Sequence, residues 1–314
     1  MRTTIDSRLQ AAAVTALAGR FGGIAALDAQ TGEVRALSGV AFSAPQPPGS
    51  TFKIVTTTAA LEAHAVKTTT PFPVSTRALI DGVALENANG ESCGGTFRDS
   101  FAHSCNSVFA PLGVKVGARR LAATAERYGF NEPPSIPGEA PSTLPHASDI
   151  RSPLDVGSTA IGQGRVLATP LELASIAQAV AAHGVRTTPT LHPGARALRK
   201  RVTSPTVAGI VRDLMVDVVG YGTGTAAAIP GVKVAGKTGT AELEDTRGPK
   251  ARQQQQKQGV QGNAPPSNTD AWFAAFAPAE RPRIAVGVMF VRAGAGGATA
   301  APAARVVLAT ALGK

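Results

Sequence analysis

Strand signals in this chain gather at its two ends, and a mostly helical middle separates them. Near the N-terminus, Ile24–Asp28 and Val34–Ser38 flank a turn at Thr31-Gly32 and read as a β-hairpin. In the last third, Val232–Gly236, Asp270–Phe276 and Arg283–Val291 read as three apolar strands. No internal repeat or clean linker divides the 314 residues, so the chain reads as one unit whose hairpin and C-terminal strands share a sheet. A helix over 4–19, with Ile5, Leu9, Ala12, Ala13, Ala16 and Leu17 on one stripe, is expected to stop at Gly22-Gly23. A second terminal helix, Ala300–Leu312, is expected to cover the same sheet.

The middle carries clear start and stop signals. Pro45, Pro47, Pro48 and Gly49 set up an abrupt entry into a helix near Ser50. Arg119–Tyr128 ends at Gly129, and Thr169-Pro170 opens a helix to about His183-Gly184, with Glu172 three residues after the cap. Ser204-Pro205 opens another, carrying Val207, Ile210, Val211, Leu214, Met215 and Val218. Glu132–Pro153 reads as Pro-rich surface loop, and Arg247–Asn268 as a mobile loop rich in Gln, Lys and Arg.

Composition narrows the function classes. With 43% hydrophobic but only 4% aromatic residues, Ala, Val and Leu must fill the core. The formal charge of +10 invites nucleic acid, but so few aromatic rings offer little stacking surface and no nucleic-acid-binding motif occurs. An anionic wall polymer or membrane surface is the more natural neighbour; the other reading is scattered solubilising charge. No run of 18 apolar residues and no signal-like N-terminal segment is present. Cys93 and Cys105, twelve positions apart, fit a disulfide in an extracytoplasmic protein, or else two buried thiols. Cys93, His103 and Cys105 lack a fourth ligand at finger-like spacing, so no metal is expected.

Three short motifs carry chemistry. In Ser50-Thr51-Phe52-Lys53 the hydroxyl and the amine are i and i+3 on a helix and share a face. The first turn favours developing negative charge. Lys53 can take the serine proton only when neutral, so its pKa must fall by about three from its ordinary value near 10.4, roughly 4 kcal/mol. Burial and a neighbouring cation, Lys237, both act in that direction. Ser104-Cys105-Asn106 aims a hydroxyl and a carboxamide the same way. Lys237-Thr238-Gly239-Thr240 is expected at the end of a strand, where Gly239 lets backbone and substrate approach closely, the Thr238 and Thr240 hydroxyls can bind a terminal carboxylate, and Lys237 adds a positive field. Each motif alone arises easily by chance; the three in this order do not. His103 beside Ser104 invites a Ser–His–Asp reading, but no G-x-S-x-G elbow surrounds any serine, and it reads as a satisfied loop residue. Arg196, Arg199, Lys200 and Arg201 read as a solvated loop.

In this order the motifs resemble those of the penicillin-binding protein transpeptidase domain, of the class B type, within the superfamily that also holds the serine β-lactamases. The likeness runs over essentially the whole chain, through 26–39, 158–174, 222–242 and 270–278. It implies an α+β fold: a five-stranded, mainly antiparallel sheet covered by helices on both faces, an adjoining mostly helical half, and an active site at their junction. It implies that Ser50 attacks a D-Ala-D-Ala stem peptide, Lys53 accepts the proton, and an amine on another stem resolves the acyl-enzyme. Ser104 would relay the proton toward the leaving amine, Asn106 would hold the substrate amide, and the Ser50 and Thr240 backbone N–H groups would form the oxyanion hole. Gln163 lines the cleft in the resembled family. β-Lactams would acylate the same serine, no cofactor is implied, and cell-wall synthesis proteins are admitted as partners. The opening Thr4-x-Asp6…Leu9-Gln10 resembles the start of such domains, so 1–314 reads as one catalytic domain excised from an anchored, extracytoplasmic protein.

Alternatives stay open. A D,D-carboxypeptidase differs only in using water as acceptor, and a non-catalytic sensor would keep Ser50 and Lys53. A class A β-lactamase needs a Glu-x-x-x-Asn loop between the second and third motifs, where no asparagine occurs from 132 to 262. The class D type carries valine at the position of Asn106 and a tryptophan in the middle region, whereas the single Trp here is Trp272. Both departures favour slow deacylation.

Overall fold

In the computed structural model, which describes residues 2–243 and 268–314, the separated strand signals do form one antiparallel sheet. Its strands are β1 (Gly22–Asp28), β2 (Val34–Gly39), β9 (Ala235–Glu242), β10 (Thr269–Ala277) and β11 (Ile284–Phe290), in the order β2-β1-β11-β10-β9. The N-terminal hairpin docks through β1 on β11, with Ala25 opposite Gly287, so the chain ends meet at the sheet centre. Side chains alternate across β10: Trp272, Ala274 and Phe276 enter one core, Ala271, Phe273 and Ala275 the other.

Each face is covered. Helices α1 (Ser7–Leu17) and α9 (Gly296–Leu312) pack on one side, where Leu9, Ala13 and Leu17 meet Val307 and Leu308. The other side carries α7 (Pro170–Ala181), buried along its whole length. Thr169 caps α7 by accepting from Glu172 N–H at 3.2 Å. At Gly287 the helix lies so close that a Cβ would sit 2.0 Å from Pro170 O.

The adjoining half is mostly helical: α2 (Lys53–Glu62), α3 (Phe97–Ala102), α4 (Asn106–Val116), α5 (Ala118–Tyr128), α6 (Pro153–Ala160) and α8 (Pro205–Gly220). It also holds small strands that the sequence did not announce. β3 (Pro71–Ser75) pairs β6 (Cys93–Thr96), β4 (Arg77–Ile80) pairs β5 (Val83–Glu86), and β7 (Val185–Thr187) pairs β8 (Arg199–Arg201). Arg199–Arg201 is thus a strand and not the expected loop; its side chains remain exposed, and Lys200 pairs Glu132 at 3.0 Å. Gly22 and Gly23 begin β1, because Ala18 in the left-handed region already ends α1. The predicted mobile loop over 247–268 lies, apart from Asn268, outside the described residues. Among the described residues no helix is long and apolar enough to cross a membrane.

Candidate active site

The third motif lies inside edge strand β9, not at its end, because pairing with β10 runs from Ala235 opposite Phe276 to Glu242 opposite Thr269. Against this strand stands the first motif. Pro48 leads into a 3-10 turn, Gly49–Phe52, which passes directly into α2 at Lys53. In a 3-10 turn residues i and i+3 eclipse, which puts Ser50 and Lys53 on one side of the turn. Gly49 takes φ +52°, and a Cβ there would meet Thr240 O at 2.7 Å. On its other side Gly49 N–H donates to Gly162 O at 2.9 Å. The turn bearing Ser50 is therefore wedged between β9 and the Gly162-Gln163-Gly164 loop. Gln163 itself is half-buried.

Gly239 permits the close backbone approach expected of it, and what approaches is the chain's own turn. The space over its Cα is filled by this turn: a Cβ would lie 2.7 Å from Pro48 O and 2.9 Å from Thr51 Cγ2. It brings the strand against the turn that carries Ser50.

The second motif joins α3 to α4. Ser104 has φ +62°, and Asn106 is the first residue of α4. Both converge on Lys53: its Nζ donates to Ser104 O and Asn106 Oδ1, each at 2.7 Å, and to Ser104 Oγ at 3.2 Å. Lys237 Nζ reaches the same hydroxyl at 2.8 Å and Thr238 O at 3.1 Å. Two amines from stretches 184 residues apart thus share one serine oxygen. Both lysines have no exposed surface, and each lies near an aromatic face, Phe109 at 5.1 Å from Lys53 Nζ and Phe101 at 5.6 Å from Lys237 Nζ.

Burial disfavours an ammonium at both positions. It holds Lys53 well below its ordinary range, and the positive Lys237 beside it acts in the same direction. Lys237 is brought down to about 7 by burial. Ser104 Oγ accepts from both amines with its two lone pairs and keeps its own proton to donate. Two amines whose charged forms burial disfavours thus share one hydroxyl, and half-exposed Ser50 lies three residues before the first of them. Such a cluster can remove a proton from a serine and pass it to a leaving group.

Thr238 and Thr240, two apart on β9, have different neighbours: Thr238 Oγ1 contacts Thr223 Oγ1 at 2.5 Å, and Thr240 Oγ1 accepts from Gly296 N–H at 3.3 Å. Thr223 was not singled out in the sequence, although it precedes the third motif in one of the matching segments. His103 turns away from the cluster, its ring 6.0 Å from that of Tyr221. Cys93 and Cys105 are joined in a disulfide with Cα atoms 5.4 Å apart, tying the second motif to β6. Among the described residues no group of three or more His, Cys, Asp or Glu could hold a metal ion.

A family model described as the penicillin binding protein transpeptidase domain matches residues 22–309. The peptidoglycan D,D-transpeptidase PbpA of Mycolicibacterium smegmatis is 37% identical over 302 residues, covering 87% of this chain and 56% of that protein. The chain spans about half the length of the curated relatives it first matches. The D,D-transpeptidase domain of a peptidoglycan glycosyltransferase from Eggerthella lenta superposes with a TM-score of 0.87 at 32% identity, over 99% of this chain and 82% of that one. Penicillin-binding protein A of Mycobacterium tuberculosis, solved as its penicillin G acyl-enzyme complex, gives 0.82 at 31% identity, over 99% and 80%. With the sheet, the three motifs and the family model in agreement, this chain belongs to the penicillin-binding protein transpeptidase domain family.

Proposed function

We propose that the chain is the catalytic domain of a serine D,D-transpeptidase that cross-links peptidoglycan stem peptides on the extracytoplasmic side of the membrane. Ser50 Oγ attacks the carbonyl of the terminal D-Ala-D-Ala bond while its proton passes to neutral Lys53. The carbonyl oxygen becomes an oxyanion, held by the backbone N–H groups of Ser50 and Thr240. As the tetrahedral species collapses, the C–N bond breaks, and a proton delivered through Ser104 leaves with D-alanine. An acceptor amine on a second stem then attacks the ester and regenerates the Ser50 hydroxyl. Thr238 and Thr240 hydroxyls, in the field of Lys237, receive the terminal carboxylate, and Asn106 orients the substrate amide.

The observation that carries this reading is the convergence of Lys53 and Lys237 on Ser104 Oγ, at 3.2 and 2.8 Å, with both amines fully buried. A β-lactam presents a strained amide to the same serine and leaves a stable ester, as the named complex of the tuberculosis protein illustrates. Incubation with penicillin G should add one penicillin mass to the wild-type chain and none to Ser50→Ala. An unlabelled wild type, or equal labelling of Ser50→Ala, would refute the assignment. The adduct should persist for many turnover times of a β-lactamase; rapid loss would move the chain to that class.

A further inference from the structure

The second motif sits at a helix start with no cap of its own. α4 opens at Asn106 behind Cys105, whose side chain is committed to the disulfide and caps nothing. The first N–H groups of a helix need partners from outside it. One of them, Ser107 N–H, donates to Asn87 Oδ1 at 2.8 Å, twenty residues back in sequence.

Asn87 follows β5 directly and is only 5% exposed. Its Nδ2 donates to Ser75 O at 2.7 Å and to Glu91 O at 2.9 Å, and its backbone N–H donates to Thr76 O at 2.8 Å. The carboxamide thus employs its acceptor and both donors on three separate segments, which fixes its plane.

The carbonyl on the N-terminal side of Asn87 is that of Glu86, and it accepts from Asn106 Nδ2 at 2.7 Å. That bond decides which way the Asn106 amide faces: nitrogen toward Glu86 O, oxygen toward Lys53 Nζ. Turned by half a rotation, the amide would present donors to Lys53.

We propose that Asn87 is a positioning residue for acylation: by clamping the Glu86 carbonyl and the first turn of α4, it keeps the oxygen of Asn106 on Lys53. The proposal rests on reading the site as a serine acyltransferase; Asn87 itself touches no reacting atom. As Lys53 takes the serine proton it becomes an ammonium that needs acceptors, and Asn106 Oδ1 is one of them. Without it Lys53 is a weaker base whose protonation moves to lower pH. The groups facing Lys53 are Ser104 and Asn106 from the second motif, Lys237 from β9, which shares Ser104 Oγ, and the Phe109 ring; Glu86 offers its carbonyl to Asn106 and its side chain is exposed.

The test measures the rate of acylation by penicillin G against pH, followed by intact mass, for the wild-type chain, Asn87→Ala and Asn131→Ala. Asn131 makes a comparable loop clamp on Leu144, two bonds of 3.1 Å, away from the motifs, and controls for destabilisation alone. Asn87→Ala should acylate ten- to a hundredfold more slowly at neutral pH, with the acidic limb of its profile displaced to lower pH. Asn131→Ala should lower the melting temperature and leave that limb in place. A wild-type rate and limb in Asn87→Ala, or the same displacement in both variants, overturns the proposal. If Asn87→Ala does not fold, Asn87→Ser takes its place: it adds no charge, loses both amide donors to Ser75 O and Glu91 O, and should show the same displacement with a smaller loss, while unchanged kinetics overturns the idea. Failure of the wild type to acylate at Ser50 would instead sink the transpeptidase reading, so the two failures are distinguishable.

Discussion

A lysine serves as a base at neutral pH only if its surroundings make the ammonium costly, and Lys53 meets that condition twice. Burial is the larger cause and the charge on Lys237 the smaller. The sign of an experiment on the second follows directly. Removing the cation in Lys237→Ala lets the Lys53 pKa rise toward its ordinary value, so a smaller fraction is neutral at a given pH. The acidic limb of penicillin acylation should therefore move to higher pH, opposite to the displacement expected for Asn87→Ala, and the rate at pH 7 should fall by at least about tenfold. A limb that stayed put would mean that Lys237 does not tune the base. At this scale the sequence was informative about identity and silent about orientation. Ser50, Lys53, Ser104, Asn106 and Lys237 were readable as a set, but which atom each one offers to which neighbour depended on Asn87 and Glu86, residues with no motif of their own.

Among elements, the α3–α4 junction is the one whose position has least local support. Ser104 holds a left-handed backbone, Cys105 provides no cap, and α4 contains Pro111. The Cys93–Cys105 bond compensates by closing a loop of twelve residues onto β6. On the chain-entropy model such a closure stabilises by about 3 kcal/mol. Replacing both cysteines with serine should lower the free energy of unfolding by about that amount in chemical denaturation, and slow penicillin acylation severalfold because Ser104 and Asn106 flank the lost bond. Equal stability of the double variant and the oxidised parent would remove this role. The helix signals held where a cap and a proline coincide, as at Thr169-Pro170 and Ser204-Pro205. The short strands between the first and second motifs escaped, since four or five residues with little alternation leave no period to detect.

The whole molecule is a joint between a sheet edge and a helical half, and glycines make that joint close. Gly49, Gly162 and Gly239 each stand where a Cβ would strike backbone of the opposing segment, at 2.7, 2.0 and 2.7 Å. Gly239→Ala would push β9 off the Ser50 turn and move Thr240 N–H away from the place proposed for it in the oxyanion hole. Loss of one such donor lowers rates 10²–10³-fold, and acylation by penicillin G should fall by about that factor while the overpacked joint costs about 1–3 kcal/mol of stability. Wild-type acylation in this variant would show that the joint tolerates a methyl group and that its closeness does not set the rate.

The amino-acid sequence alone determined the chemistry available and most of the frame: the order of the motifs, the capped helices, and the strand signals waiting at the two ends. These are local properties, written in composition, spacing and turn residues, and they survive reading one segment at a time. Only the tertiary structure decided that Lys53 and Lys237 share Ser104 Oγ, that the third motif lies within an edge strand, and that a buried asparagine twenty residues upstream caps the second motif. Those facts depend on contacts between segments far apart in the chain, whose cost in backbone entropy is met by packing, and no local pattern records which distant atoms that packing brings together.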